Sequence, residues 1–297
     1  VIPVPQNVDF VLSSDVKTIK MMDYTMTNAK GDVVVKDGVA NLSGLSFNML
    51  GGAFVVNGSY NTKDIKHPKY DLALKIQELS IAQAATSFSL VKTFAPVAGL
   101  VNGKFSTDFK IGGELLQNFS PNLKTVNGDG LVKIAQASLK DSKLVSGITS
   151  LTKLDNTDEV TLKDVLMSTS IKDGRLSVKP FDVKFGSYKT TVAGSTGIDG
   201  SIDYNLKMDV PAGKLGSQLN SFVSKYSGTK TDPNAPIPVT IGLGGTVTKP
   251  TPKLLANEQT QQVKDAAKEA IKQEATKKAE NLVNDLLNKN KKSSKDT

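Results

Sequence analysis

The chain of 297 residues contains no cysteine and no tryptophan, with His67 its single histidine and Arg175 its single arginine. Without cysteine there is neither a disulfide nor a thiol nucleophile, although this leaves the compartment open. His67 stands in a turn before Pro68 and has no second histidine with which to share a metal. With one arginine, the formal charge of +8 is carried almost wholly by lysine. Nucleic-acid readers rely on arginine for bidentate and stacking contacts, and the aromatic residues here fall on apolar strand faces, not among basic ones, which argues against a nucleic-acid partner. The lysines read first as a solubilising surface and second as an attraction for anionic lipid. No run approaches the roughly 18 apolar residues of a membrane span, and Val1 to Asp9 lacks the charged start and apolar core of a signal peptide. The chain opens without Met, straight into strand-like VDFVL, and is expected to be a piece of a longer protein whose missing part could carry the address.

What the sequence has in quantity is glycine (24 residues) and proline (12 residues), hence turns, and it repeats itself. DGVANLSGLSFNMLGGAFVVNGS (Asp37 to Ser59) returns without a gap as DGRLSVKPFDVKFGSYKTTVAGS (Asp173 to Ser195), 136 positions on. Ala40, Leu42, Leu45, Phe47, Met49 and Val56 fall on Leu176, Val178, Phe181, Val183, Phe185 and Val192, while Asn41, Ser46 and Asn48 fall on polar residues. Alternation of this kind predicts strands with one apolar and one wet face. In both copies the apolar parity shifts by one residue, at Ser43-Gly44 and at Lys179-Pro180, so a bulge or tight bend is expected there.

The match continues downstream. Tyr70, Leu72, Leu74 and Ile76 answer to Ile202, Tyr204, Leu206 and Met208, and the strand of Phe105, Thr107, Phe109 and Ile111 to Ile237, Val239, Ile241 and Leu243. Between these strands a helix is expected in each copy: one opened by the capping box Ser80 to Gln83, with Ile81, Ala84, Ala85 and Phe88 inward, and one carrying Leu215, Leu219, Phe222, Val223 and Tyr226. Residues 1 to 36 read as the end of an earlier repeat, and Asn127 to Val165 as the same architecture continued, with a strand near Leu131 to Leu139 and a helix from Asp141. Thr229 to Pro238 is a loop by composition. From residue 257 glycine and proline vanish up to residue 290, and an amphipathic helix with Val263, Ile271, Leu282 and Leu286 on one face is expected before a lysine-rich, disordered tail.

No catalytic constellation emerges. Asp37 and Asp173 each precede glycine, where turn geometry explains them. Asp158-Glu159 reads as strand-edge charge, and Gly242 to Gly245 lacks the rest of a phosphate-binding fingerprint. The apolar strand face remains. It either fills a sandwich core, the reading that periodicity alone favours, or lines an open trough on a long, curved sheet.

The run Leu45 to Ser59, the strand Tyr70 to Ile76, the stretch from Gly103-Lys-Phe105 to Gly113, the Asp203-Tyr204 strand leading to Pro211 and the closing Gly245 to Pro250 together resemble the C-terminal region of AsmA-like proteins of Gram-negative bacteria. The resemblance covers about residues 1 to 255. It implies a mainly β, elongated, curved antiparallel sheet, a groove or open sandwich of two repeats (about 30–123 and 166–254) with short covering helices. A C-terminal helix and tail would follow over 256–297. It further implies a periplasmic protein anchored in the inner membrane by an N-terminal helix outside this chain, of the repeating β-groove, bridge-like lipid transfer superfamily, which carries phospholipid acyl chains and supports outer-membrane assembly. No catalytic residue, cofactor or metal carries over from that family. The expected acyl-chain contacts are Leu42, Leu45, Phe47, Met49, Phe105, Phe109, Phe181, Val183, Phe185 and Leu206. The alternative is a non-transporting scaffold with a filled β-sandwich core, which would bind envelope proteins through its polar face.

Overall fold

The computed structural model describes residues 1–211 and 236–255, apart from 22, 141, 153, 155 and 156. The chain is mainly β, with thirteen strands in one antiparallel sheet and each strand beside its predecessor in sequence. In order they are β1 (Asp9–Met21), β2 (Tyr24–Lys36), β3 (Val39–Met49), β4 (Gly52–Asn61), β5 (Lys69–Ser80), β6 (Val101–Glu114) and β7 (Asn127–Lys140). There follow β8 (Glu159–Lys172), β9 (Arg175–Phe185), β10 (Tyr188–Gly197), β11 (Ile202–Pro211), β12 (Pro236–Thr246) and β13 (Lys249–Leu255). β1 and β13 are the two edges, so the curved sheet does not close. Among the described residues all the strands belong to one sheet, with no second sheet against it.

The chain divides into two compact units, Val1–Asp209 with Ile241–Leu254, and Val210–Thr240 with Leu255–Thr297. The first contains β1 to β10, nearly all of β11 and the apolar face discussed below. Of the second, the described residues are the end of β11, the start of β12 and Leu255, with Val210 and Val239 buried. The helix expected over Leu215 to Tyr226, most of the loop of Thr229 to Pro238, and the helix and tail from residue 256 lie outside the described residues.

Both expected bulges form. β3 and β4 pair at Leu42↔Gly58 and again at Leu45↔Val56, so Ser43 and Gly44 face the single residue Asn57. β9 and β10 repeat this, with Val178↔Gly194 and Phe181↔Val192 setting Lys179 and Pro180 against Ala193. The extra residue restores the apolar parity, which a continuous strand would reverse. The repeat is also longer than its sequence match. β2 lies at the same 136-residue offset from β8 as β3 does from β9, so six strands, β2 to β7, answer to β8 to β13.

Two glycine pairs are fixed by geometry. Asp37-Gly38 and Asp173-Gly174 form the β2–β3 and β8–β9 turns, with φ of 49° and 76° in the first and 49° and 70° in the second, the left-handed pair that a two-residue hairpin requires. Gly58 and Gly194 sit where the next strand comes closest. A Cβ on Gly58 would lie 2.0 Å from the Asp71 carbonyl oxygen, and one on Gly194 2.3 Å from that of Asp203.

The β5–β6 connection carries α1 (Ile81–Ser87), α2 (Ser89–Phe94) and a 3-10 turn (Pro96–Leu100). α1 starts as expected, with the Gln83 N–H donating to Ser80 Oγ at 3.3 Å, and it buries Ile81, Ala84 and Ala85. The β7–β8 connection carries α3 (Lys143–Thr152), in which Val145 and Ile148 are buried and the Val145 N–H donates to Ser142 Oγ at 3.1 Å. The lone arginine is a strap: Arg175 donates from Nη1 to Ser195 Oγ at 2.9 Å and from Nη2 to Ser201 Oγ at 2.7 Å, tying β9 to β10 and to the β10–β11 turn. Hydrogen bonds from Ser201, with a smaller contribution from the Arg175 charge, hold the Asp199 carboxyl below the usual range. We expect Arg175→Lys to cost about 1 kcal/mol in chemical denaturation, because an ammonium cannot reach both serines in a fork.

Candidate functional site

Residues directly opposite one another in a sheet share a face, so the register shows which side chains lie together. One row runs Leu42, Gly58, Leu72, Ile111, Gly128, Ile171, Leu176, Thr196 and Ile202, from β3 to β11. The next runs Leu45, Val56, Leu74, Phe109, Gly130, Thr169, Val178, Gly194 and Tyr204. A third runs Phe47, Phe54, Ile76, Thr107, Val132 and Met167. The apolar face is therefore continuous over nine strands. At β7 the floor is glycine: a Cβ on Gly130 would meet the Phe109 ring at 2.5 Å and one on Gly128 at 2.9 Å, so that ring lies along the sheet.

Register and parity put all ten expected contact residues on this face. Leu42, Leu45, Phe47, Met49, Phe105, Phe109 and Phe181 are half-buried, whereas Val183, Phe185 and Leu206 are buried. Phe47, Met49 and Phe105 pack under the helices in a cluster with Phe54, Leu79 and Ala84, joined by Phe88 and Val91. There Phe47 stacks on Phe54 with centroids 5.2 Å apart, and Phe88 meets Phe54 edge-on at 6.5 Å. Phe109 belongs to a second cluster, with Tyr70, Phe94, Ile111, Val126 and Ile171. Neither cluster includes Leu42, Leu45 or Phe181.

The sequence reading missed the β6–β7 loop. Leu115, Leu123 and Val126 from this loop pack with Leu90 and Phe94 of α2, so loop and helix together roof part of the face. A pocket of about 460 Å³ opens between them, lined by Ser89, Leu116, Pro121, Leu123 and Ile198 with Asn118, Ser120, Asn122 and Lys124. The signal was thin, since the loop has no apolar periodicity.

The opposite face is polar. Lys30–Asp15 (3.2 Å), Lys36–Asp9 (2.9 Å), Lys75–Asp108 (3.6 Å) and Lys140–Glu159 (3.6 Å) are ion pairs between directly opposed residues. Exposed pairs of this kind contribute little to stability but favour the correct register. His67 is bonded through Nδ1 to Asp64 at 2.8 Å in the exposed β4–β5 loop, and that bond draws the Asp64 carboxyl down. Among the described residues no group of three or more His, Asp or Glu is placed to hold a metal, and no helix is long and apolar enough to cross a membrane.

Tyr70 brings an unsatisfied polar atom to the apolar side. Its hydroxyl is buried without a hydrogen-bond partner, and burial pushes its pKa up to about 12. Below pH 10 the phenol is neutral in both folded and unfolded chains. Between 10 and about 12 the unfolded chain ionises first, so stability falls through that window. Tyr70→Phe should remove this residue's share of the alkaline loss and raise stability near neutral pH by about 1 kcal/mol, read by denaturant titration at pH 7 and pH 11.

Comparison with protein-family models, curated proteins and solved structures finds no match for this chain.

Proposed function

We propose that the apolar face is a binding surface for phospholipid acyl chains, and that the chain is part of an inner-membrane-anchored periplasmic protein that passes phospholipid toward the outer membrane. The observation that carries this reading is a single sheet whose apolar side chains stay in register from β3 to β11 with no second sheet against them among the described residues. A sandwich would bury such a face. Here Leu42, Leu45 and Phe181 remain half-open to solvent. Covering apolar surface stabilises by about 25 cal/mol per Å², so acyl chains are natural occupants and need no specific polar partner. The resemblance to AsmA-like proteins agrees with this reading and supplies the compartment.

A photo-reactive residue placed along β3 tests it. At position 42 or 45 it should capture radiolabelled phospholipid in vivo, and at position 41 or 48, on the polar face, it should not. Equal capture from both faces, or from neither, would count against the reading.

A further inference from the structure

The two copies differ at one seam. In the first, β2 and β3 stay bridged across two register shifts, at Asp32↔Ser43, Lys30↔Ser46 and Thr27↔Asn48. In the second, β8 and β9 pair at Thr161↔Lys184 and next at Thr169↔Val178, so residues 162–168 and 179–183 have no partners across the seam. β7 and β10 hold the outer sides of both strands, and among the described strand pairs this is the longest lapse in pairing.

The sequence accounts for the difference. Gly31 lets β2 press against β3, since a Cβ there would lie 2.7 Å from Leu45 Cα, and the Gly44 N–H at the bulge is satisfied by Asn57 Oδ1 at 2.7 Å. At the 136-residue offset these three positions are Met167, Pro180 and Ala193. Met167 brings the Cβ that the close approach forbids, Pro180 has no N–H to donate, and Ala193 has no acceptor.

We infer that this seam is a lateral window in the wall of the groove, through which a phospholipid passes between the polar face and the apolar face. The inference rests on the lipid reading of the apolar face. Backbone groups facing the gap stay hydrated, which suits a polar headgroup. A pocket of about 420 Å³ lies at the end where pairing resumes, lined on the polar face by Lys179, Ser168, Ser170, Ser177 and Asp129. One ammonium and three hydroxyls are there to meet a phosphoester, against the single Asp129 carboxylate. On that same polar face Leu131 and Leu166 are 46% and 59% exposed beside the seam, while Met167 and Phe181 wait on the apolar side. The roof of α2 and the β6–β7 loop covers part of the apolar face near Ile111, Ile171 and Leu176, and a wall opening would add a second route to that face.

The test uses the 297-residue chain, amide exchange, and uptake of fluorescent phosphatidylethanolamine from vesicles of phosphatidylethanolamine and phosphatidylglycerol. In the unmodified chain, the amides of 162–168 facing β9 should exchange at least tenfold faster than those of β2 facing β3. Equal protection overturns the window. The variant M167G/P180G should zip the seam, slowing that exchange tenfold and lipid uptake at least fivefold. Exchange that stays fast in this variant overturns the stated cause of the opening. Slowed exchange with uptake unchanged overturns the portal and leaves the lipid reading standing, whereas no uptake by the unmodified chain overturns both. K179E should lower uptake severalfold with exchange unchanged, and uptake at the original rate would remove the headgroup site.

Discussion

Replacing Gly58 or Gly194 with alanine lowers the stability of the sheet by about 3 kcal/mol or more, a fall of roughly 10 °C in Tm. At Gly58 the added Cβ would stand 2.0 Å from the Asp71 carbonyl oxygen, and at Gly194 2.3 Å from that of Asp203. Both oxygens belong to backbone held in a ladder, with Ser59↔Asp71 and Ser195↔Asp203 paired beside the glycines. The strand cannot give way without losing pairs on both sides. Gly44→Ala is the control: its φ of 58° is also left-handed, but nothing lies within 4 Å of the added atom. It should cost only the backbone strain, about 1 kcal/mol. Thermal and urea denaturation of the three variants separates collision from conformational strain. Equal losses at positions 44 and 58 would mean that close approach is not what fixes Gly58.

Leu45→Asp and Phe181→Asp are expected to lower phospholipid binding by at least tenfold while the chain still folds. Both residues are half-buried on the apolar face and belong to neither packed cluster around the helices. Removing such a contact forfeits about 1.5–3 kcal/mol of apolar burial by an acyl chain, which is a factor of ten or more in affinity, and a carboxylate adds desolvation on top. The cost to folding should stay near 1–2 kcal/mol, since water still reaches the new charge. Val183→Asp is a poor probe of the same idea. Val183 is only 8% exposed, and a charge there without a partner unfolds the sheet before it reports on lipid. The comparison to make is lipid bound per folded molecule, by fluorescent-lipid titration beside circular dichroism.

Legibility in the sequence followed periodicity. The bulges at Ser43-Gly44 and Lys179-Pro180 were readable because a parity change has one geometric meaning in a strand. α1 was readable from Ser80 and Gln83, since capping is a local event. The β6–β7 loop was not, because Leu115, Leu123 and Val126 follow no period and find α2 only through the fold. The parted seam was hidden for another reason. Met167 and Pro180 look like ordinary substitutions within a repeat, and the lapse in pairing beside them is visible only in the register of β8 against β9. Sequence alternation also could not choose between a filled sandwich and an open face. That choice depends on whether the strands form one sheet or two, which no single strand encodes.

Whether the apolar face carries phospholipid is decided by native mass spectrometry of the purified 297-residue chain. The expected spectrum is a folded species with co-purifying phospholipid, reduced at least tenfold in Leu45→Asp and Phe181→Asp. A folded chain without phospholipid, which takes up none when mixed with phosphatidylethanolamine and phosphatidylglycerol vesicles, would contradict it.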